Sequence, residues 1–226
     1  MSIKENLDKI NQELPNGIRL VAVSKFHPAE AVIQAIQAGQ NVFGENRVQE
    51  ASQKFEIVKK SFPAVELRII GSLQRNKAKE AVRIADAIDS VDRLELLEEI
   101  EKQAARIDKR IQVLLEFHTG EESKSGFKSQ EEVFELLQMA EQNEFPHIEI
   151  RGFMTMAPNT SDESLVRAAF SKLRALRDDC QKRFPNLMLS ELSMGMSCDY
   201  ETAVEEGATL VRVGRSIFSD EFEPTA

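Results

Sequence analysis

Lys25 closes the apolar run Ile18-Arg19-Leu20-Val21-Ala22-Val23-Ser24-Lys25. A run this short and this rich in β-branched residues reads as a buried parallel strand. The chain then turns at Phe26-His27-Pro28 and enters a helical pattern. In a barrel of parallel strands, a strand end that leads into its βα loop is where active-site residues stand. Desolvation there lowers a lysine pKa toward that of a usable nucleophile, which is the chemistry of Schiff-base formation with an aldehyde. The alternative is a strand-end lysine that snorkels to water. A second signal lies in Leu192-Ser193-Met194-Gly195-Met196-Ser197-Cys198-Asp199 and in Val211-Arg212-Val213-Gly214-Arg215-Ser216-Ile217-Phe218. Both segments follow short strands, and the loops after strands seven and eight of a barrel commonly form a phosphate site. Gly195 and Gly214 would allow close backbone approach to an anion, and Ser193 and Ser197 could donate hydroxyls. Either loop by itself is also consistent with an ordinary Gly/Ser connection. Taken with Lys25, the pair describes an aldehyde-bearing phosphate ligand.

Arg212 lies between Val211 and Val213, so strand alternation turns it opposite its neighbours and toward the barrel mouth. A buried arginine needs a partner: it either pairs a carboxylate or donates to a ring nitrogen of a cofactor. Asn46, in Phe43-Gly44-Glu45-Asn46-Arg47 after strand two, can hydrogen-bond near the lysine or cap the helix that starts Val48-Gln49-Glu50. Gly71-Ser72-Leu73-Gln74-Arg75-Asn76-Lys77 puts cations at a helix start, which the helix dipole disfavours; it reads as a functional loop or as a solvated one. His27, His118 and His147 have no metal-ligand spacing with one another or with Cys180 and Cys198, so no metal is expected. Cys198 reads as a reactive thiol or as a small buried filler. No nucleophile elbow, P-loop or G-x-G-x-x-G is present.

These residues need a scaffold of alternating strands and helices. Candidate strands are 18–25, 41–45, 66–71, 87–91, 111–118, 148–155, 190–194 and 209–213. Between them, Leu97, Ile100, Ala104 and Ile107 share one face of 93–108, and Leu165, Ala169, Leu173, Leu176 and Cys180 one face of 161–184. Asp92 and Ser161 read as N-caps, and Gly39 and Gly207 as C-terminal stops. Such alternation specifies a parallel sheet with crossover helices. Eight units suit closure into a single (β/α)8 barrel over 1–226, with a doubly wound open sheet as the alternative. Only Ser219 to Ala226 remain after strand eight, and the helical stretch 2–14 is expected to cover that gap as an extra N-terminal helix.

The chain has 226 residues, of which 42% are hydrophobic and 30% charged, enough for a sizeable core. The net charge of −9 argues against nucleic acid or an anionic membrane as a partner, but leaves room for an anionic small ligand held by local dipoles and a few cations. No apolar run approaches a membrane span. Met1 to Leu14 is charged and amphipathic with no signal-peptide core, and two cysteines make no disulfide framework. A cytoplasmic protein is expected.

The motifs together resemble the YggS/PROSC-type pyridoxal phosphate homeostasis family, whose fold is like the N-terminal barrel of alanine racemases. The matching segments are Val21–Lys25, Phe43–Asn46 with Val48–Glu50, Ile70–Gln74 with Asn76-Lys77, Lys124–Phe127, Arg151–Met154, Ser193–Ser197 with Asp199, and Val211–Gly214 with Ile217-Phe218. The chain departs from the family pattern at Arg68-Ile69, where a histidine-aromatic pair is usual, at Leu115–Thr119, and at Ser219, where glycine is common. The resemblance implies that Lys25 forms the Schiff base with pyridoxal 5'-phosphate. It implies that Ser197, Gly214 and Arg215, helped by Ser193, hold the phosphate, that Arg212 faces the pyridine nitrogen, and that Asn46 lies close to the cofactor.

The resemblance further implies a protein that binds and buffers this cofactor and affects vitamin B6 balance, and it assigns no catalytic reaction. A racemase needs an acid/base group on each face of the substrate α-carbon. Lys25 can serve one. In alanine racemase the other is a tyrosine brought by a C-terminal β-domain and a partner subunit, and no such domain is expected here. The sole tyrosine, Tyr200, starts a helix after the phosphate loop, a poor place for that task. An arginine at the ring nitrogen also weakens the cofactor as an electron sink. The expected function is therefore a carrier without robust turnover; a small racemase-like enzyme and a Schiff-base aldolase acting without the cofactor are the alternatives. The partners expected are pyridoxal phosphate, other B6 vitamers and unnamed cofactor-accepting enzymes, and a monomer is expected.

Overall fold

The computed structural model describes residues 1–120 and 125–218. Lys124 of the fourth matching segment and Ser219 lie outside them. Eight parallel strands close in sequence order: β1 (Arg19–Val23), β2 (Val42–Glu45), β3 (Glu66–Ile69), β4 (Ala87–Val91), β5 (Ile111–Glu116), β6 (Ile148–Met154), β7 (Glu191–Met196) and β8 (Leu210–Val213). β1 and β8 close the ring with Arg19 against Leu210 and Ala22 against Val213. The helices are α1 (Ile3–Glu13), α2 (Ala29–Gln37), α3 (Val48–Ser61), α4 (Ala78–Ile84), α5 (Leu94–Ala105), α6 (Gln130–Glu141), α7 (Glu163–Arg183), α8 (Tyr200–Glu205) and the single turn α9 (Arg215–Phe218). A 3₁₀ turn over Arg75–Lys77 leads into α4. The expected eight strands and closed barrel are what the chain forms; the open sheet is not. Among these residues no helix is long and apolar enough to cross a membrane.

Helix α1 starts with a capping box between Ser2 and Glu5 and buries Ile3, Leu7 and Ile10. Asn6 Nδ2 donates to the Ile217 carbonyl at 3.0 Å, which ties α1 to α9 beside the β1–β8 seam, as the gap-covering role requires. Local expectations shift at four places. Arg93, without a side-chain bond, takes the N-cap position of α5, and Asp92 pairs with Arg93 instead. Asp162, not Ser161, caps α7 by accepting from Ser164 N–H. Ile107 is exposed because α5 ends at Ala105. Leu165 is exposed because the phase of α7 turns its neighbour Val166 inward.

Apolar residues such as Phe43, Leu67, Ile88 and Leu192 fill the shell between strands and helices. The barrel interior is unlike the branched apolar layers usual in this fold. Arg68, wholly buried, reaches Glu66 at 2.8 Å, Glu191 at 2.7 Å and Asp89 at 2.9 Å. Arg19 adds contacts to Glu66 at 2.5 Å and Glu191 at 3.3 Å. Burial alone would lower the Arg68 pKa, but the carboxylates of Asp89, Glu191 and Glu66 hold it above its ordinary value.

Candidate functional site

Strand parity sets the site. Arg19 reaches into the ion cluster, Val23 and Lys25 line a cavity above it, and the alternation of β1 carries all of these odd-numbered residues to the inner face. The cavity occupies the C-terminal mouth of the barrel, has a volume of about 710 Å³, and is lined by Lys25, Asn46, Ser197, Arg212, Gly214 and Arg215 among others. That is a usual size for a small-molecule site. Lys25 is half-buried, its ammonium 5.8 Å from the Phe26 ring centre. Phe26 itself holds φ +69°, a left-handed conformation rare for an aromatic residue, at the turn where His27 N–H bonds the Ser24 carbonyl.

Behind the β1 exit lies a buried clasp that sequence reasoning missed. Lys54 Nζ, on the inner face of α3, donates to the Ser24 carbonyl and to Glu45 Oε1, both at 2.7 Å. Ser24 Oγ donates to the same carboxylate oxygen at 2.7 Å. The peptide just before Lys25 is thereby anchored from both sides. The signal was present: Lys54 falls in the apolar spacing of Ala51, Phe55 and Val58, all buried on α3. His27, stacked on Phe218 at 4.9 Å, has its pKa lowered by burial and by Lys54.

Arg212 is 4% exposed at the floor of the cavity. Its Nη1 donates to Ser193 Oγ at 2.9 Å and its Nη2 to the Thr155 carbonyl at 2.8 Å. Burial lowers its pKa against the pull of Asp89, Glu116 and Asp199. Ser193 is correspondingly not in the mouth. It is fully buried one layer below, between Arg212 and Asp89, and does not line the cavity. Its expected part in holding a phosphate is corrected on that ground, because the chain must still climb through Gly195 before it reaches the rim.

At the rim loops, Gly195 has φ +89°, and a Cβ there would lie 2.6 Å from Ala203 Cβ, so this glycine seats α8 on β7; it is not among the residues lining the cavity. A Cβ on Gly214 would meet the Val23 carbonyl at 3.0 Å, so Gly214 brings the β8 exit close to the β1 exit. Ser197 follows at the rim, where Met196 N–H bonds Asp199 Oδ1 at 2.5 Å. Arg215 Nη2 lies 3.4 Å from Cys198 Sγ and links the two loops; Cys198 is exposed, not a buried filler. Burial raises the Asp199 pKa, against the Met196 N–H bond and Arg212, which lower it. Tyr200 lines the cavity, but its hydroxyl donates outward to Glu13 at 2.6 Å, and its pKa is pushed up to about 12, by burial first.

Asn46 lines the cavity and is not the α3 cap; Arg47 takes that position without a side-chain bond. Of the loop after β3, Ile70 lines the cavity but Gln74 to Lys77 do not. The wall formed by Met156 to Ser161 after β6 was not expected, although its Pro-Asn-Thr-Ser composition marks a loop at a strand's C-terminal end.

The chain matches the family described as alanine racemase, N-terminal domain, over residues 1–221. It is 36% identical to the pyridoxal phosphate homeostasis protein of Vibrio alginolyticus, over 96% of this chain and 97% of that protein. With the protein of the same name from Aquifex aeolicus it shares 39% identity, over 91% and 88%. The structure of PipY from Synechococcus elongatus with pyridoxal phosphate bound superposes with a TM-score of 0.89 at 37% identity, covering 96% of this chain and all of that one. Alanine racemase from Streptomyces coelicolor shares the fold, with a TM-score of 0.74 at 19% identity over 96% of this chain and 57% of that one. The chain belongs to the alanine racemase N-terminal domain family and, within it, to the pyridoxal phosphate homeostasis proteins.

Proposed function

We propose that this chain binds pyridoxal 5'-phosphate in the barrel mouth, held covalently through Lys25, and serves intracellular homeostasis of that cofactor without robust turnover of amino acids. The observation that carries the reading is the convergence on one cavity of a lysine amine, a serine hydroxyl and two guanidinium groups. The donor set suits the group: an amine for an aldehyde, and a hydroxyl and a cation for a phosphate dianion. When bound, the cofactor supplies that aldehyde and an electron-withdrawing ring. Lys25 provides the nucleophile at a strand end immobilised by Glu45 and Lys54. Ser197, Gly214 and Arg215, which line the cavity together, bind the phosphate. Arg212 presents a cation to the ring nitrogen, keeping it unprotonated and blunting carbanion stabilisation. Asn46 orients the ring near Lys25.

A carrier is favoured over a racemase because Tyr200 spends its hydroxyl on Glu13, away from the cavity, and so supplies no second acid/base group. A monomer, binding of other B6 vitamers, handover to cofactor-requiring enzymes and a cytoplasmic location belong to the same proposal. Spectrophotometric titration with pyridoxal phosphate, followed by turnover assays on L- and D-amino acids, tests it. The expected result is a new absorption band with no appreciable racemisation or transamination; robust turnover of any amino acid would replace the carrier with an enzyme.

A further inference from the structure

Below the cavity, Arg212 is joined to the interior ion cluster by a single hydroxyl. Ser193 Oγ accepts from Arg212 Nη1 at 2.9 Å and lies 3.4 Å from Asp89 Oδ2. A hydroxyl has one proton. Because a guanidinium only donates, that proton turns away from Arg212, and the acceptor on the far side is the Asp89 carboxylate. Asp89 in turn is held from below by Arg68, whose Nε lies 2.9 and 3.1 Å from its two oxygens. Arg68, Asp89 and Ser193 are all wholly buried, so no water competes for these contacts. The order Arg68 to Asp89 to Ser193 to Arg212 therefore has a defined direction of hydrogen bonding.

We propose that Asp89, acting through Ser193, is a positioning residue that fixes the guanidinium of Arg212 toward the cofactor ring; the role of Arg212 rests on the function proposed above, whereas its immobilisation does not. The two ends of the strut are asymmetric. Replacing Asp89 by Asn leaves one oxygen, which Arg68 claims because it can only donate. The amide N–H groups then face Ser193, its hydroxyl loses the acceptor that oriented it, and Arg212 is left donating to an oxygen that is no longer fixed. Ser193→Ala removes the same link while leaving the Arg68–Asp89 pair intact.

The test uses the full chain with two readouts. In the unliganded protein, 15N NMR reads rotation about the Arg212 Cζ–Nε bond; both Ser193→Ala and Asp89→Asn should accelerate it. With ligand, Ser193→Ala should weaken pyridoxal phosphate and pyridoxal by the same factor, about twofold to tenfold for one hydrogen bond. The double variant should be no worse than Asp89→Asn, because both act on one link. Should Asp89→Asn fail to fold, Ser193→Ala carries both readouts alone. Unchanged rotation in Ser193→Ala overturns the proposal, and so does a selective loss for pyridoxal phosphate, which would put Ser193 on the phosphate. Faster rotation in a protein that binds neither ligand would uphold the strut and reject the cofactor reading.

Discussion

At the lower end of the barrel, Arg19 and Arg68 meet Glu66, Asp89 and Glu191, and each guanidinium touches at least two carboxylates. At the upper end, Lys25, Arg212 and Arg215 meet a ring face, a hydroxyl, a carbonyl and a thiol, with no carboxylate in ion-pair distance among the described residues. The lower charges are neutralised inside the protein. Among the described residues the upper ones have no such partner: Arg212, the buried one, feels Asp89, Glu116 and Asp199 only from beyond ion-pair distance. A buried cation without a close counter-ion is costly, so the difference points to the mouth as the binding end independently of any resemblance.

Removing charge should therefore have opposite consequences at the two ends. Arg68→Ala leaves buried Asp89 without its guanidinium and Glu66 and Glu191 with Arg19 alone, and should cost about 3–5 kcal/mol of stability, measured by urea unfolding. Arg215→Ala, at the exposed rim, should change stability by less than about 0.5 kcal/mol, yet weaken pyridoxal phosphate tenfold or more. Equal stability losses at both ends would erase the distinction.

The clasp beside Lys25 sharpens it. Glu45 and Lys54 form a buried pair that apolar residues of similar size could replace without loss, or with a gain of about 1–4 kcal/mol. The double substitution Glu45→Leu with Lys54→Met should thus fold with little net change in stability, the hydroxyl bond that buried Ser24 loses offsetting that gain. It should still bind cofactor more weakly, because the Ser24 peptide is no longer anchored. Undiminished binding would show the clasp to be structural alone.

Smaller effects separate the parts of the mouth. Ser197→Ala deletes one donor to a dianion, worth about 1.5–3 kcal/mol. Affinity for pyridoxal phosphate should fall about tenfold to a hundredfold, while affinity for pyridoxal barely changes. An equal loss for both ligands would move Ser197 off the phosphate. Asp199 gives the smallest effect. Its folded-state pKa is raised, so the folded chain holds a proton there to higher pH than the unfolded chain does. Stability from this group is greatest in acid and declines as pH rises from the unfolded value through the raised folded one. Asp199→Asn removes that decline, so the variant should gain on wild type over that interval in denaturation curves. Parallel curves would contradict the assignment.

The strands were legible because each is a short apolar run between polar breaks; the strand-end position singled out Lys25, and parity turned Arg212 toward the barrel mouth. Depth was not legible. Ser193 and Ser197 look equivalent in sequence, yet one lies below Arg212 and the other at the rim, because β7 shifts register against β8 between Ser193 and Met196. The lower cluster was invisible for a related reason. Arg68, Asp89 and Glu191 sit on three strands far apart in sequence, and only closure of the barrel brings them together. Asn46 could be read as a cap or as a residue near the lysine until the start of α3 at Val48 gave the cap position to Arg47.

The central claim, that Lys25 is the covalent anchor in a mouth whose cations have no carboxylate at ion-pair distance among the described residues, is tested most directly by trapping it. Wild type and Lys25→Ala would be incubated with pyridoxal phosphate, reduced with borohydride, digested and mapped by mass spectrometry. The account predicts a pyridoxyl adduct on the peptide carrying Lys25 in wild type, and neither adduct nor absorption band in a folded Lys25→Ala. An adduct on Lys77 or Lys54, or a band that survives in Lys25→Ala, would contradict it.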